Sequence, residues 1–344
     1  MDIYRSLKDH GTLAPLALNY LPEIPSEYLF VHEHARRHPL GIYNVSVDQL
    51  EKAFDRVLSC CLDCVEYLRS NIRLDGEIQN DNLNEGYNDL LDAQKNLIHS
   101  LRSHIDDCYA VLATLVDPTS LSNDLSRIKF TDRWLKAAKF GGYDSFSNAI
   151  SSFRDDYLGP LVNGIKHRQC RLRGLFFYKY FDVRLGYYIE DPDIDGVPGP
   201  SPKVHRDRNS AFSFAKHLRV NLYHVYYTSE ALSRALKISL MNMHSFDLKP
   251  NQTGSRSEAW ENIFRQLSKL PLRVFPNELE ENIALVTHSE MEGRKFVKLG
   301  FPYLIWSPTF PQNMKIKSSF ELDGVGRQYK LPYLAPSNYG RVKC

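Results

Sequence analysis

The stretch LVNGIKHRQCRLR, residues 161–173, marks the point where a helical pattern in the chain gives way to a strand-like one. Before it, apolar residues recur at spacings of three and four, which predicts amphipathic helices. After it, the aromatic run LFFYKYFDVRLGYYIE at 175–190 predicts a strand or one arm of a β-hairpin. The stretch therefore ends one helix of a largely helical protein and leads into a strand.

Two long amphipathic helices are predicted on the N-terminal side of this stretch. The first begins at Ser46, which is in position to act as an N-cap. The second covers roughly 81–116, and a short polar loop joins the two, so we predict an antiparallel helical hairpin. A short helix follows at about 131–140, and Gly159-Pro160 is expected to kink or restart the next one.

On the C-terminal side, a proline- and glycine-rich segment at 191–203 predicts an exposed hairpin tip. A third long helix is predicted at about 210–237, capped by Asn209 or Ser210, and a shorter one at about 258–269. The tail that follows contains several short sequence patterns that are typical of β-strands. It predicts either a small antiparallel sheet domain or strands packed on the helices.

These elements predict a mainly α protein with three regions. We expect an irregular N-terminal arm at 1–45 and a helical bundle domain at 46–238. A C-terminal region of strands with one helix is expected at 239–344, beginning with a linker at 239–257.

Composition indicates an ordinary globular protein. The chain has 344 residues, of which 43% are hydrophobic and 24% are charged, enough for a sizeable core. The formal net charge of +2 does not by itself predict a polyanionic partner, so a nucleic-acid site must rest on a local basic patch. Neither a signal peptide nor an apolar run long enough to span a bilayer is evident, which predicts a cytoplasmic protein without a membrane partner.

Cysteine and histidine clusters offer candidate metal sites, and we favour a structural interpretation of each. Cys60, Cys61 and Cys64 crowd one predicted helix, which indicates a reducing compartment. Cys61 and Cys64 share its apolar face, so we interpret them as small core residues. The segment HEHARRH at 32–38 has no second group of ligands nearby, so we interpret it as an exposed polar turn. His99 and His104 are expected at the surface or at an edge of the second helix, without a role. Phosphate-loop, dinucleotide-binding and metalloprotease motifs are missing, so we expect neither a metal nor a cofactor.

The basic part of the opening stretch is the best candidate for chemistry. Cleavage of RNA without a metal needs a group that moves protons and cations that stabilise the transition-state charge. His167 suits the first role, and Asn163 is placed to orient the phosphate or the imidazole. Cations suited to binding phosphate are Lys166, Arg168, Arg171 and Arg173. The alternative is a basic helix C-terminus whose cations complement the helix dipole.

The window Val162-Asn163-Gly164-Ile165-Lys166-His167 resembles the motif of the HEPN superfamily. That motif has Arg, then a polar residue such as Asn, and a His four to six residues after the Arg. Asn163 and His167 match it, whereas Val162 occupies the Arg position. The resemblance covers roughly 46–237 and implies an antiparallel helical bundle with an inserted β-hairpin. It also implies a homodimer or higher oligomer in which Arg and His from two protomers meet.

The resemblance implies a protein that binds or cleaves RNA in a prokaryotic defence, toxin or stress system. As an enzyme it would be a metal-independent endoribonuclease. Because Val162 replaces the expected Arg, either Arg168 or Arg171 supplies that charge, or the domain binds RNA or a partner without catalysis. The alternative is a non-catalytic helical scaffold or regulatory subunit that mediates oligomerisation and binds a protein partner through its C-terminal region.

Overall fold

The computed structural model describes most of the chain. The described residues are 5–6, 13–71, 83–121, 123–167, 170–179, 182–192, 197–205, 210–251, 257–278, 285–291, 294–300, 315–318 and 331–333. The helices are α1 Pro39–Asn71, α2 Leu83–Ala113, α3 Thr131–Ala137, α4 Tyr143–Ser151, α5 Gly159–His167, α6 Phe214–His244 and α7 Ser257–Lys269. The strands are β1 Arg5–Ser6, β2 Arg171–Lys179, β3 Asp182–Pro192, β4 Pro198–Pro200, β5 Phe212–Ser213, β6 Leu285–Met291, β7 Arg294–Gly300 and β8 Lys315–Ser318. Short 3₁₀ turns cover Leu16–Asn19, Leu21–Glu23, Ser26–Tyr28, Pro118–Ser120, Asn123–Arg127 and Pro276–Glu278.

The structure is mainly helical with a small antiparallel sheet, which confirms the predicted fold class at this level. The finer prediction, a HEPN-like bundle with an inserted β-hairpin, stays a prediction. Within the described ranges, no helix combines the length and the low polarity needed to cross a bilayer.

Helices α1 and α2 pack against each other as an antiparallel pair. Contacts that progress along α1 meet successively earlier residues of α2: Ser46 meets His104, and Cys64 meets Gly86. The apolar face predicted for α1 is buried and comprises Val47, Leu50, Phe54, Val57, Leu58, Cys61, Val65 and Leu68. Burial of these side chains supplies the hydrophobic free energy that holds the pair together.

Cys61 and Cys64 of α1 are core residues, as predicted. Cys60, Cys61 and Cys64 are buried and free. Burial raises the pKa of the Cys64 thiol to about 12, so the reactive thiolate is disfavoured.

The predicted start of α1 at Ser46 is wrong. The helix begins two turns earlier at Pro39, and proline suits a first helical position because it needs no hydrogen-bond acceptor there. Ser46 is instead buried inside the helix, where its Oγ lies 3.0 Å from Nδ1 of His104. The prediction that His104 lies at the surface or at an edge is also wrong, since only 2% of the residue is exposed. Burial lowers the pKa of this imidazole to about 4.

A π-helical segment, Ser152–Leu158, connects α4 to α5 without a break. It lies immediately before Gly159-Pro160, where the sequence predicts a kink or restart. Proline has no backbone N–H, and its ring crowds the carbonyl four residues earlier. A widened turn relieves this steric clash in the helix. The backbone N–H of Gly159 bonds to the carbonyl of Arg154, five residues back.

Strand β3 is the centre of the main sheet. It pairs with β2, β4 and β5, and β8 pairs with the other edge of β2. A strand from the C-terminal region therefore joins the sheet formed by the middle of the chain. The second sheet has the order β1-β7-β6, so the N-terminal arm contributes a strand to it. The described tail strands β6 and β7 therefore form one sheet with β1, and β8 extends the other sheet.

Helix α6 begins later and ends later than predicted. Its N-cap is Ser213, whose Oγ accepts the N–H of Lys216, rather than Asn209 or Ser210. The delay arises because Phe212 and Ser213 pair with β3 before the helix starts. The helix then continues to His244, through part of the segment predicted to be a linker. Both predicted domain boundaries, after residues 45 and 238, fall inside helices.

Tyr87 of α2 joins the helical pair to the sheet. Its hydroxyl lies 2.7 Å from the carbonyls of both Leu175 and Gly186. The ring lies so close to Gly174 that a β-carbon there would overlap it. Glycine at 174 is therefore needed for the approach of α2 to β2.

We predict that Gly174→Ala lowers the free energy of unfolding by about 2 kcal/mol, because the added methyl group displaces Tyr87 from the sheet. Gly41→Ala is the matched control, since a β-carbon at Gly41 meets nothing within 4 Å. We expect the control to be neutral or to stabilise α1 by up to about 1 kcal/mol. Denaturant titration followed by circular dichroism measures both, and equal stability of the two variants would contradict the packing described for Tyr87.

Candidate functional site

An open cavity of about 640 Å³ lies beside α5. Two predicted site residues, Asn163 and Lys166, are exposed at this cavity. Three further cations line it: Arg102 from α2, Arg154 from the π-helical segment, and Lys203, which follows β4. We call this space the α5 cavity.

Ion pairs fix two of the cations in the α5 cavity. Arg102 lies 3.3 Å from Asp106, one turn further along α2. Arg154 binds both carboxylate oxygens of Asp155 at 2.8 Å and also donates to Oγ of Ser147 at 3.2 Å. The hydrogen bond to Asp155 raises the pKa of Arg154, so the guanidinium stays charged.

The two lysines of the α5 cavity are less constrained. Within the described part of the chain, neither Lys166 nor Lys203 has an ion-pair partner. The cavity lining contains two more cations than carboxylates. Its net charge is therefore positive, and the lysines are available to an anionic ligand.

The structure places the other predicted site residues differently. Helix α5 ends at His167, whose side chain lies outside the described residues, as does all of Arg168. Arg171 is exposed at the start of β2 but is not among the described residues that line the α5 cavity. Arg173 is buried, and its Nε lies 2.8 Å from Glu190. Contact between Arg173 and RNA would require that ion pair to break.

Val162, at the position of the expected Arg, is 6% exposed and packs in the main hydrophobic core. This burial follows the apolar period that runs through Leu161, Val162 and Ile165. Arg102 and Arg154 reach the same cavity from other elements, so it has guanidinium groups although position 162 has none. Neither arginine was predicted as a site residue, because their closeness to α5 comes from tertiary packing.

A second cavity, of about 570 Å³, lies on another face of the π-helical segment. Phe153 and Tyr157 line it from that segment, and His217 and His224 line it from α6. We call it the histidine cavity. None of its lining residues was predicted as a site residue. The spacing of seven residues between His217 and His224 was an available signal, since it puts both on one face of a helix.

A chain of hydrogen bonds supports the histidine cavity. Nε2 of Gln94 donates to the Tyr187 hydroxyl at 3.0 Å, and the Tyr157 hydroxyl donates to Oδ1 of Asn221 at 3.1 Å. The imidazole of His217 bridges the two tyrosine hydroxyls through both of its nitrogens. Because Tyr157 donates to Asn221, it accepts from Nε2–H of His217, and Nδ1 accepts from Tyr187. Burial lowers the pKa of His217 well below its ordinary value, so the ring is neutral.

The HEHARRH segment packs against α3 rather than forming an exposed turn throughout. The rings of His32 and His34 lie 4.9 and 4.7 Å from that of Trp134, and Nε2 of His32 bonds to the carbonyl of Ala113. Across the described ranges, no group of three metal-ligating side chains is found.

Comparison of the chain with protein-family models, curated proteins and solved structures finds no match. These comparisons neither support nor contradict the resemblance to the HEPN superfamily. A functional proposal therefore depends on the geometry of the two cavities and on the residues of 162–167.

Acid should destabilise this fold through its buried histidines. Burial lowers the pKa of His104 to about 4 and those of His205 and His224 to about 3. The unfolded chain, with pKa values near 6.5, binds these protons more readily. The contribution of these histidines to stability is therefore full above about pH 6.5. Below that, each removes about 1.4 kcal/mol for each pH unit until the pH reaches its pKa in the folded state.

We predict that His205→Gln flattens this pH dependence by about 1.4 kcal/mol per pH unit between pH 6 and 4. Glutamine retains an acceptor for the Ile189 N–H, which His205 Nε2 now accepts at 3.1 Å. Urea titrations at several pH values measure the slope for the wild type and the variant. Identical slopes would show that His205 is not a buried neutral group.

Proposed function

We propose that this protein binds RNA and that the α5 cavity receives the phosphate backbone. The observation that carries the proposal is the gathering of Arg102, Arg154, Lys166 and Lys203 around one open cavity. Guanidinium and ammonium groups are the side chains best suited to phosphate, and a concave site concentrates their field. Asn163, exposed at the same cavity, adds an amide that can bind a phosphate or a 2′-hydroxyl.

RNA, rather than another polyanion, follows from the likeness of residues 162–167 to the HEPN motif. The order of the described elements supports the proposal of a HEPN-like bundle. An antiparallel pair of long helices precedes shorter helices, the motif lies on α5, and strands β2 and β3 separate it from the long α6. Dimerisation and a role in prokaryotic defence, toxin or stress systems are proposed on the same resemblance.

Removal of both free lysines should weaken RNA binding. We predict that Lys166→Ala with Lys203→Ala raises the Kd for a single-stranded RNA about tenfold. We also expect the slope of log Kd against log salt concentration to fall by about 1 to 2, since two phosphate contacts are lost. Fluorescence anisotropy at several salt concentrations measures both quantities.

Lys52→Ala is the control for that experiment, because Lys52 is exposed on α1 and does not line the α5 cavity. Its Kd and salt slope should equal those of the wild type. Wild-type affinity in the double variant, or no RNA binding by the wild type at low salt, would contradict the proposed function.

Cleavage is the second candidate function, and the position of Arg154 favours it. Its charged guanidinium is held in the α5 cavity by Asp155 and Ser147, so it can stabilise charge that develops on a phosphate. In this proposal His167 is the general acid and base, four residues after Asn163 on α5. No metal is needed, because the imidazole moves the proton and Arg154 supplies the electrophilic charge.

We predict that the wild type cleaves RNA in EDTA and that His167→Ala lowers the rate at least about 100-fold. The Kd for RNA should change less than threefold, since the phosphate-binding cations remain. Electrophoresis of labelled RNA and anisotropy on the same samples separate the two effects. Absence of cleavage at any ratio of protein to RNA would remove the catalytic candidate and leave binding as the function.

A further inference from the structure

Phe130 is an aromatic side chain that the fold leaves exposed at the α5 cavity. It lies immediately before α3 and lines the cavity beside the cations. The residue is 63% exposed, and among the side chains whose burial the structure describes it is the only exposed Phe, Tyr or Trp. A single exposed apolar residue is common in itself, so the significance of Phe130 lies in its position at a cationic cavity.

The backbone and a neighbouring arginine hold the Phe130 ring in place. The Phe130 carbonyl accepts the N–H of Trp134 at 2.9 Å, and Trp134 is buried in the core. The guanidinium carbon of Arg133 lies over the ring, 5.1 Å from its centroid, which is a cation–π contact. Since Arg133 covers one face, the opposite face is the one available to a ligand. A ring held in this way loses little conformational entropy when a ligand stacks on it.

The charges around Phe130 suit a ligand that joins a flat ring to anionic groups. Exposed cations flank it in the sequence at Arg127, Lys129 and Arg133, with one acid, Asp132, among them. The lysines of the α5 cavity add positive charge within the same cavity. Its volume of about 640 Å³ is within the range of sites for small molecules, so it has room for one nucleotide.

We propose that Phe130 is the base-binding residue of the α5 cavity, and that one unpaired base stacks on its ring while the lysines bind adjacent phosphates. This role of Phe130 rests on the proposed RNA-binding function and adds recognition of a group that the cations do not bind. Every base has a π face, so stacking on Phe130 adds affinity without a strong sequence preference. A base inside a duplex is covered on both faces by its neighbours, so the site selects RNA whose bases are unpaired.

The test compares two single-stranded RNAs of equal length, one with its bases and one abasic at every position. Both have the same sugar-phosphate backbone, and fluorescence anisotropy gives the Kd for each. We expect the wild type to bind the RNA with bases at least about tenfold more tightly than the abasic RNA. Phe130→Ala should raise the Kd of the RNA with bases about tenfold and leave that of the abasic RNA within about twofold. The slope of log Kd against log salt concentration should not change, because the variant loses no phosphate contact.

Phe130→Trp and Met243→Ala are the control variants. Phe130→Trp retains a flat ring, so its Kd for the RNA with bases should lie within about threefold of the wild-type value. Met243→Ala removes an apolar side chain that is 42% exposed on α6 and does not line the α5 cavity, so both Kd values should stay unchanged. Thermal unfolding checks that each variant folds. Phe130→Leu keeps an apolar side chain without an aromatic face, so it should weaken binding as Phe130→Ala does and replaces that variant if it does not fold.

Wild-type affinity of folded Phe130→Ala and Phe130→Leu variants for the RNA with bases would overturn the role of Phe130. An equal loss of affinity for the abasic RNA would overturn it as well, because the effect would then be structural. Either result leaves the proposed function intact if loss of Lys166 and Lys203 still weakens RNA binding and lowers the salt slope. A wild-type protein that binds neither RNA at low salt would overturn both proposals.

Discussion

The buried imidazole of His217 imposes the constraint on which the centre of this structure depends. A neutral ring in the core needs one donor and one acceptor, and the cost of leaving either nitrogen unpaired is of the order of 1–3 kcal/mol. Tyr187 from β3 and Tyr157 from the π-helical segment meet the two needs. Gln94 from α2 and Asn221 from α6 complete this chain of hydrogen bonds. It therefore holds α2, β3, the π-helical segment and α6 in one arrangement.

The π-helical segment contributes side chains to both cavities. Its widened turn lets Tyr157 reach His217 on one side while Arg154 points into the α5 cavity on another. Pro160 lies in the lining of both cavities. A single irregular turn therefore positions an aromatic pocket and an open, cationic one. Such π-helical irregularities are often found at functional sites.

Local patterns in the sequence predicted where the helices lie better than they predicted which elements pair or pack with one another. The apolar face of α1 and the span of α7 follow from spacing alone, because burial of one helix face enforces that period. The pairing of β8 with β2 and the capping of α6 by Ser213 depend on residues distant in sequence, so no local signal specified them. The pattern also favoured Ser46 as an N-cap. The sequence alone does not distinguish an N-cap serine from a serine inside a helix that is bonded to a buried His104.

Only the part of the candidate site that lies on α5 was predicted from the sequence. Asn163 and Lys166 were identified from α5, whereas Arg102 and Arg154 join them through packing. The most direct test of the central claim is lysine acetylation of the protein with and without bound RNA, read by mass spectrometry. RNA should protect Lys166 and Lys203 and leave the exposed Lys52 and Lys249 reactive. Unchanged reactivity of Lys166 and Lys203 in the RNA complex would contradict the proposal that the α5 cavity binds RNA.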